Sequence, residues 1–181
     1  SLYTYAMTKR MLLQGAVAIE KQFGLKWLCL VPSTLYGENY HTDGRQMHFI
    51  FDLIRKIIRG KELGKKVVLW GDGLQRREII HVSDFVKRLL FLTNRSDNQI
   101  VNIGAGEDYS IREFAEIISE IVGYNSNEII YDTSKYTGSK QKKLSVEKLL
   151  SIYPKHTEEL ISLKSGINSV IEWFYETKSY E

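Results

Sequence analysis

The sequence has few of the features that would set it apart from ordinary globular proteins. Its 181 residues include one cysteine and two prolines. No apolar run approaches the roughly 18 residues of a membrane-spanning helix, and the first residues lack the charged and then apolar pattern of a signal peptide. The sequence therefore gives no reason to expect a membrane segment, a disulfide framework or a flexible array of modules.

The single cysteine, Cys29, lies in the apolar run 27–31, where a buried structural thiol is expected. Because one cysteine cannot form an intrachain disulfide, we expect a reducing, cytoplasmic setting.

Charge of one sign is also scarce. The formal net charge is +3, and the lysines are spread along the chain apart from a denser patch at Lys140, Lys142 and Lys143. This pattern gives little reason to expect nucleic-acid binding, although this much positive charge is enough to bind an anionic small molecule. With 43% apolar and 26% charged residues, the composition is that of a globular protein with one core or two small lobes.

Predicted helices and strands alternate along the chain, which indicates an α/β architecture with some parallel pairing. A long helix over 5–23 ends at Gly24, and a buried strand over 26–31 is stopped by Pro32. Ser110 and Glu113 form a capping box for a helix that ends at Gly123. Further predicted strands are 67–70, 78–82, 100–103 and 129–131, and further helices are 46–59 closed by Gly60, one capped by Ser83, a short one after Ser145, and 162–177.

A complete doubly wound sheet is absent from this list of elements. A buried, almost continuously apolar strand such as 27–31 needs neighbours on both sides, and the chain offers too few candidates. No Gly-x-x-Gly-x-x-Gly loop is present to hold a pyrophosphate. We therefore expect an amino-terminal part of the protein to precede Ser1, and we expect this chain alone to be inactive.

Tyr5 and Lys9 lie four residues apart near the start of the first predicted helix, so phenol and ammonium share one face. A phenol is a weak acid near neutrality, and an adjacent ammonium favours the phenolate. The same spacing occurs by chance, and it recurs at Tyr131/Lys135 and Tyr136/Lys140, where loops are predicted. The long helix and the following buried strand favour the first pair.

An ordered set of short segments resembles the carboxy-terminal half of GDP-L-fucose synthases, which are extended short-chain dehydrogenases of the epimerase/dehydratase type. The likeness covers nearly the whole chain. The segments are Tyr5-Ala6-Met7-Thr8-Lys9, Val31 to Gly37 (VPSTLYG), Val68 to Gly73 (VLWGDG), Arg77 to Asp84 (REIIHVSD), Val101 to Gly106 (VNIGAG), Ser110 to Glu113 (SIRE) and Asp132 to Lys135 (DTSK).

The resemblance implies an extended Rossmann-type fold and NADPH-dependent conversion of GDP-4-keto-6-deoxymannose by epimerisation at C3 and C5 and reduction at C4. Tyr5 would protonate the C4 oxygen, and Lys9 would hold the nicotinamide ribose. His48 occupies the position of the His in the epimerisation Cys/His pair and also borders the cofactor. The catalytic Ser and that Cys lie upstream in the family, so Cys29 is not the epimerisation Cys.

The resemblance also assigns binding positions. The segment of Pro32, Ser33, Thr34 and Leu35 follows a strand end, where open α/β sheets hold ligands, and in the family its backbone borders the nicotinamide half of NADP. A simple strand-to-loop turn is the alternative.

Lys56, Trp70 and Arg77 match positions that contact the GDP-sugar. Lys56 and Arg77 offer a point charge and a bidentate donor, and Trp70 offers a flat apolar surface. A solvated lysine and a core tryptophan are the alternatives, and Arg76 leaves the arginine register open by one.

Two departures from the family sequence leave open which sugar and which base the substrate contains. Where the family has a substrate-contacting acid, this chain has Thr137, and where it has an Arg, this chain has Gln141. A lost carboxylate removes a specific hydrogen-bond acceptor. The alternatives are another GDP-4-keto-6-deoxy sugar such as a heptose, reduction without epimerisation, a homologue that binds nucleotide sugar without turnover, and, last, a nucleic-acid-binding protein.

The predicted domain division follows the same likeness. Residues 1–36 would complete the NADP-binding Rossmann domain, and 37–181 would form mainly the substrate-binding lobe, with 78–93 returning to the first domain. The family is homodimeric through a four-helix bundle that includes the Tyr/Lys helix. Met11, Leu12, Val17 and Ile19 lie on several faces of that helix, which favours burial on two sides.

Overall fold

The computed structural model describes residues 2–95 and 97–181 and confirms a mixed α/β fold. Within the described ranges, no helix is both long and apolar enough to cross a membrane. The elements are α1 Leu2–Phe23, β1 Leu28–Pro32, β2 Thr34–Tyr36, α2 Phe49–Leu63, β3 Val68–Trp70, β4 Arg76–Arg77, β5 Ile79–His81, α3 Val82–Thr93, β6 Gln99–Ile103, β7 Tyr109–Ser110, α4 Ile111–Val122, β8 Ile130–Asp132, β9 Gln141–Lys142, α5 Glu147–Ile152 and α6 Leu163–Thr177, with a 3₁₀ turn at Ser126–Glu128.

The predicted parallel pairing is confirmed in three strand pairs, β1 with β6, β2 with β5, and β3 with β8. β4 lies between β7, to which it is antiparallel, and β9, to which it is parallel. The chain changes partners between β1 and β2. Ser33 N–H donates to Ile103 O at 3.0 Å, and Thr34 N–H donates to Glu78 O at 3.3 Å. No strand was predicted for residues 34–36, and they form β2 through their pairing with β5.

Two groups of buried apolar side chains form the core. The larger group packs α2, α4 and α6 together around side chains such as Ile54, Phe114 and Phe174, each fully buried. The smaller group lies between β1, β6, α3 and α5 and includes Leu92, Val101 and Leu149. Helix α4 shows why these elements form where they do. Its apolar stripe is closed at one end by the predicted Ser110–Glu113 capping box and at the other by Gly123 at φ 73°.

Two predicted helix boundaries are wrong. α2 begins at Phe49 and ends at Leu63, followed by the cap residue Gly64 at φ 60°, so Gly60 lies inside the helix. Gly60 is buried, and a Cβ there would lie 2.6 Å from the Val67 side chain and 3.0 Å from Tyr124. Close packing, rather than helix termination, explains this glycine.

The amino-terminal cap of α3 was also predicted wrongly. The helix begins one residue before Ser83, and its N-cap is His81, whose Nδ1 accepts a hydrogen bond from the Ser83 backbone N–H at 3.3 Å. An imidazole nitrogen supplies the acceptor that a serine hydroxyl usually provides at this position.

Buried charged groups hold the loops around β5 and α3. Glu78 is 2% exposed, and its two carboxylate oxygens accept from the backbone N–H groups of Gly106 and Leu144, each at 2.8 Å. Arg88, fully buried, pairs with Asp84 at 3.3 Å and donates to His156 Nδ1 at 3.0 Å and to His156 O at 2.7 Å. Burial lowers the pKa of His156, which favours the neutral ring that accepts from Arg88. These contacts give the Arg77–Asp84 segment a structural role.

Candidate active site

One cavity collects Tyr5, His48 and the Pro32–Leu35 segment from three separate parts of the chain. We call it the tyrosine cavity; its volume is about 830 Å³. Residues 32–36 reach it because the chain passes from β6 to β5 at this point. Its other lining residues are Tyr36, Gly37, Glu38, Asn39, Tyr40, Phe51, Glu78, Val82, Lys142, Lys143 and Leu144.

Tyr5 and Lys9 lie on α1 as the spacing predicts. Lys9 Nζ is 5.6 Å from the centroid of the Tyr5 ring, and the Tyr5 side chain is largely exposed. Lys9 is not among the residues that line the tyrosine cavity. The alternative Tyr/Lys pairs, residues 131/135 and 136/140, lie outside helices, in β8 and the loop after it. Helical geometry is thus specific to the first pair.

His48 lies at the N-cap of α2, just before the helix on which it was predicted. Its backbone is extended, at φ −61° and ψ 150°, and its N–H donates to the Tyr40 hydroxyl at 3.1 Å. Its imidazole makes no capping hydrogen bond, and the exposed residue lines the tyrosine cavity. The ring is therefore available to a ligand in that cavity.

A second cavity brings Lys56, Trp70 and Arg77 together, and we call it the tryptophan cavity. Its volume is about 570 Å³. Trp70 is 61% exposed, so the core-aromatic alternative is wrong. Lys56 Nζ pairs with Asp52 at 2.8 Å, one helical turn earlier, and is partly exposed. Tyr136 and Thr137 line the same cavity.

The structure distinguishes the neighbouring arginines. Arg76 is engaged in ion pairs with Asp108 at 3.0 Å and Glu113 at 3.1 Å. Arg77 lines the tryptophan cavity, and its guanidinium donates to the carbonyl oxygens of Arg76 at 2.7 Å and Thr137 at 3.4 Å. Partial burial lowers the Arg77 pKa. Arg77, without a carboxylate partner among the described residues, is thus the arginine positioned for an anion.

The two cavities are neighbours. Met47 and Phe49 line the tryptophan cavity, whereas His48, between them, lines the tyrosine cavity. Likewise Arg77 lines one and Glu78 the other. Since consecutive Cα atoms are about 3.8 Å apart, only one layer of backbone separates the cavities at these two places. An elongated ligand that reaches both cavities suits this arrangement.

Sequence reasoning missed several lining residues. Glu38 lies in the tyrosine cavity and was not singled out, and Tyr136, in the tryptophan cavity, was named only as part of an alternative Tyr/Lys pair. Each is within two residues of a family motif or departure, at Gly37 and Thr137, which is the signal that could have drawn attention to them.

Comparison with known proteins identifies the family. Residues 1–104 match the NAD dependent epimerase/dehydratase family. The chain belongs to this family. Among curated family members, the GDP-L-fucose synthase of Sinorhizobium fredii is 35% identical over 166 residues, which are 89% of this chain and 52% of that protein. The resemblance found in the motifs is thereby confirmed. The chain spans about half the length of the curated relatives it matches.

Solved structures of epimerase-type enzymes show the same fold. A GDP-L-fucose synthetase from Naegleria fowleri superimposes with a TM-score of 0.86 over 96% of this chain and 55% of that one, at 22% identity. A GDP-6-OMe-4-keto-L-xylo-heptose reductase from C. jejuni gives a TM-score of 0.79 over 92% of this chain and 59% of that one, at 27% identity.

Proposed function

We propose that the intact protein is an NADPH-dependent GDP-4-keto-6-deoxymannose 3,5-epimerase/4-reductase of nucleotide-sugar biosynthesis. The observation that carries this proposal is the convergence of Tyr5, His48 and the 32–35 segment on one cavity, beside a second cavity lined by Arg77 and Trp70. The S. fredii relative, named as a GDP-L-fucose synthase, supports the same activity.

The tyrosine cavity suits the reduction. Bound NADPH would supply a hydride to the C4 carbonyl carbon. Tyr5 donates its hydroxyl proton to the C4 oxygen as that oxygen gains negative charge. Lys9, on the same helical face with Nζ 5.6 Å from the Tyr5 ring centroid, favours the phenolate that remains and can donate to the cofactor ribose.

Ser33 provides a test of whether the cofactor fits. Its Oγ is buried and has no hydrogen-bond partner among the residues described, although it belongs to the segment that lines the cavity. A buried hydroxyl without a partner is costly, and a polar group of a ligand would satisfy it. The nicotinamide carboxamide has such groups, which supports NADP binding along Pro32–Leu35.

His48 suits the epimerisation. An imidazole can both accept and donate a proton, so His48 can move a proton at a carbon next to the C4 carbonyl. Its exposed position at the cavity supports this role. The family resemblance pairs it with a Cys that lies upstream of Tyr5 in the family.

The tryptophan cavity suits the GDP part. Arg77 can donate two parallel hydrogen bonds to a pyrophosphate, and Lys56 adds a second positive charge. Trp70, exposed at the same cavity, offers a face for a sugar or base.

The proposal includes a homodimer in a reducing cytoplasm. On α1, Met11 is 70%, Leu12 65% and Ile19 45% exposed, an amount of apolar surface that supports packing against a second subunit. The reducing setting is inferred from the sequence, whose single Cys29 cannot form an intrachain disulfide. The predicted division of the chain at residue 36 is part of the same proposal.

The test is to supply the intact protein with NADPH and GDP-4-keto-6-deoxymannose and to follow NADPH absorbance and the stereochemistry of the product. We expect NADPH oxidation with formation of GDP-L-fucose. A product reduced at C4 but unchanged at C3 and C5 would leave reduction and exclude epimerisation. If the protein binds GDP-sugars but oxidises NADPH with none of the ketosugars, the proposed enzymatic activity is contradicted. That result would support the alternative of a homologue that binds nucleotide sugar without turnover.

A GDP-4-keto heptose is the second candidate substrate. Thr137 replaces the family acid at the tryptophan cavity, and the heptose reductase from C. jejuni shares the fold at 27% identity. Comparing kcat/KM for the two ketosugars decides between them.

A further inference from the structure

Glu38 is a charged residue of the tyrosine cavity to which none of the roles above has been given. It follows β2 directly after Gly37, and its side chain is 36% exposed. One of its carboxylate oxygens, Oε2, lies 3.7 Å from His81 Nε2. Its carboxylate therefore lies between a buried imidazole and the space that Tyr5 and His48 also line.

The hydrogen bond at Nδ1 of His81 shows which of its two ring nitrogens carries the proton. Nδ1 accepts from the Ser83 backbone N–H, so the neutral ring carries its proton on Nε2. Nε2 is buried and has no hydrogen-bond partner within the described ranges. The ring also contacts Tyr36 edge-on, with centroids 5.3 Å apart. The Nε2 that carries this proton lies 3.7 Å from Glu38 Oε2, beyond hydrogen-bond distance but close enough for electrostatic attraction.

The charge state of Glu38 decides between two uses of a carboxylate. The interaction with the Ser169 side chain, above all, and the hydrogen bond to its own backbone N–H lower the Glu38 pKa. A carboxylate with a lowered pKa is a weak base for removing a carbon-bound proton at neutral pH. It remains a strong acceptor of hydrogen bonds from hydroxyl groups. Glu38 is therefore better suited to binding than to proton transfer.

The neighbours of Glu38 leave its carboxylate able to accept hydrogen bonds from the hydroxyl groups of a ligand. Lys142 and Lys143 line the same cavity, but within the described ranges neither lysine pairs with Glu38, and His81 lies 3.7 Å away. The carboxylate thus keeps acceptor capacity toward the cavity, since an ionised carboxylate can accept about four hydrogen bonds.

We propose that Glu38 is a specificity-determining residue that accepts hydrogen bonds from hydroxyl groups of the sugar ring, with His81 as its positioning residue. The inference rests on the proposed function, because it assumes that the sugar part of a GDP-sugar occupies the tyrosine cavity. It predicts that Glu38 contributes to recognition of the sugar and contributes nothing to recognition of GDP.

Two ligands separate these contributions. Calorimetric titration of the intact protein with GDP-mannose measures sugar and nucleotide together, and titration with GDP measures the nucleotide alone. We expect Glu38→Ala to weaken GDP-mannose binding about tenfold to a hundredfold, the loss expected for a hydrogen bond to a charged group. GDP affinity should stay within about twofold, which also shows that the variant is folded.

Matched variants complete the test. Glu38→Gln keeps one acceptor oxygen and should lose less affinity than Glu38→Ala. Glu158→Gln removes a negative charge at an exposed position far along the chain and should change neither ligand. Equal losses for both ligands, or unchanged GDP-mannose affinity in Glu38→Ala, would overturn the role of Glu38. A wild-type protein that binds neither ligand would instead overturn the proposed function, and the role of Glu38 with it.

Discussion

Helices α1 and α4 are built in opposite ways. α4 has a capping box at its first residue, a left-handed glycine after its last, and a buried stripe that includes Phe114 and Ile118. The large apolar residues of α1 are largely exposed, among them Met11 at 70% and Phe23 at 63%. Yet α1 carries the proposed catalytic pair, whereas α4 lines the tryptophan cavity only through Ile111.

This difference suggests that the residues that stabilise the fold and the residues that carry the proposed chemistry lie in different helices. The packed lobe of α2, α4 and α6 supplies its own core, so its substitutions should alter unfolding. Substitutions of the proposed catalytic pair on α1 should alter activity and leave unfolding almost unchanged. The comparison would fail if exposed positions on α1 affected stability as strongly as buried positions elsewhere.

The largest effect is expected at Arg88. Arg88→Ala leaves Asp84 buried without its partner and removes the donor to His156 Nδ1. Loss of one member of a buried ion pair typically lowers the free energy of unfolding by about 3–5 kcal/mol. Urea denaturation measures it. The exposed neighbour on the same helix, Lys87→Ala, should change stability by less than about 0.5 kcal/mol. Equal stability of the two variants would show that the buried network does not support the region around β5 and α3.

Tyr5 tests the other side of the comparison. Tyr5→Phe removes only the proton donor, so NADPH-dependent reduction by the intact protein should fall about 10²-fold to 10³-fold. Because the side chain is 65% exposed, the melting temperature should hardly move. Tyr3→Phe, two residues earlier and 74% exposed, should keep full activity. A similar loss in both variants would point to helix α1 as a whole and away from the Tyr5 hydroxyl.

The smallest effect is expected at the capping box of α4. Ser110→Ala removes the Oγ acceptor of the Glu113 N–H, which is 3.1 Å away, and should cost about 1 kcal/mol of unfolding free energy. Ser139→Ala, in an exposed loop, should be neutral. Denaturant midpoints of the two variants measure the difference. No loss at Ser110 would mean that packing alone fixes the start of α4.

Local signals predicted those parts of the fold that depend on neighbouring residues. The Ser110–Glu113 box and Gly123 gave both ends of α4 because each needs only one turn of chain. The prediction that Gly60 ends α2 was wrong because Tyr124, which packs closely against this glycine, is distant in sequence. The two-residue strands β4, β7 and β9 exist only through their partners and carry no periodic pattern of their own.

The candidate site shows the same limit. Tyr5 and His48 were found through the family resemblance, since spacing alone also matched two loop pairs. Glu38 was missed because its proposed role depends on the nearby His81. The pairing of β2 with β5 brings these two residues together, although they are distant in sequence. No pattern near Glu38 indicates that a buried imidazole lies behind it.

Glu78 has a consequence for how such a protein can vary. One carboxylate holds the backbone of both Gly106 and Leu144, and a Cβ added at Gly104 would lie 2.3 Å from it. A residue with a side chain at position 104 therefore requires a change at position 78, which in turn releases two loops at once. We expect natural variants to keep these positions together or to exchange them together, so that the wall beside the tyrosine cavity evolves as a unit.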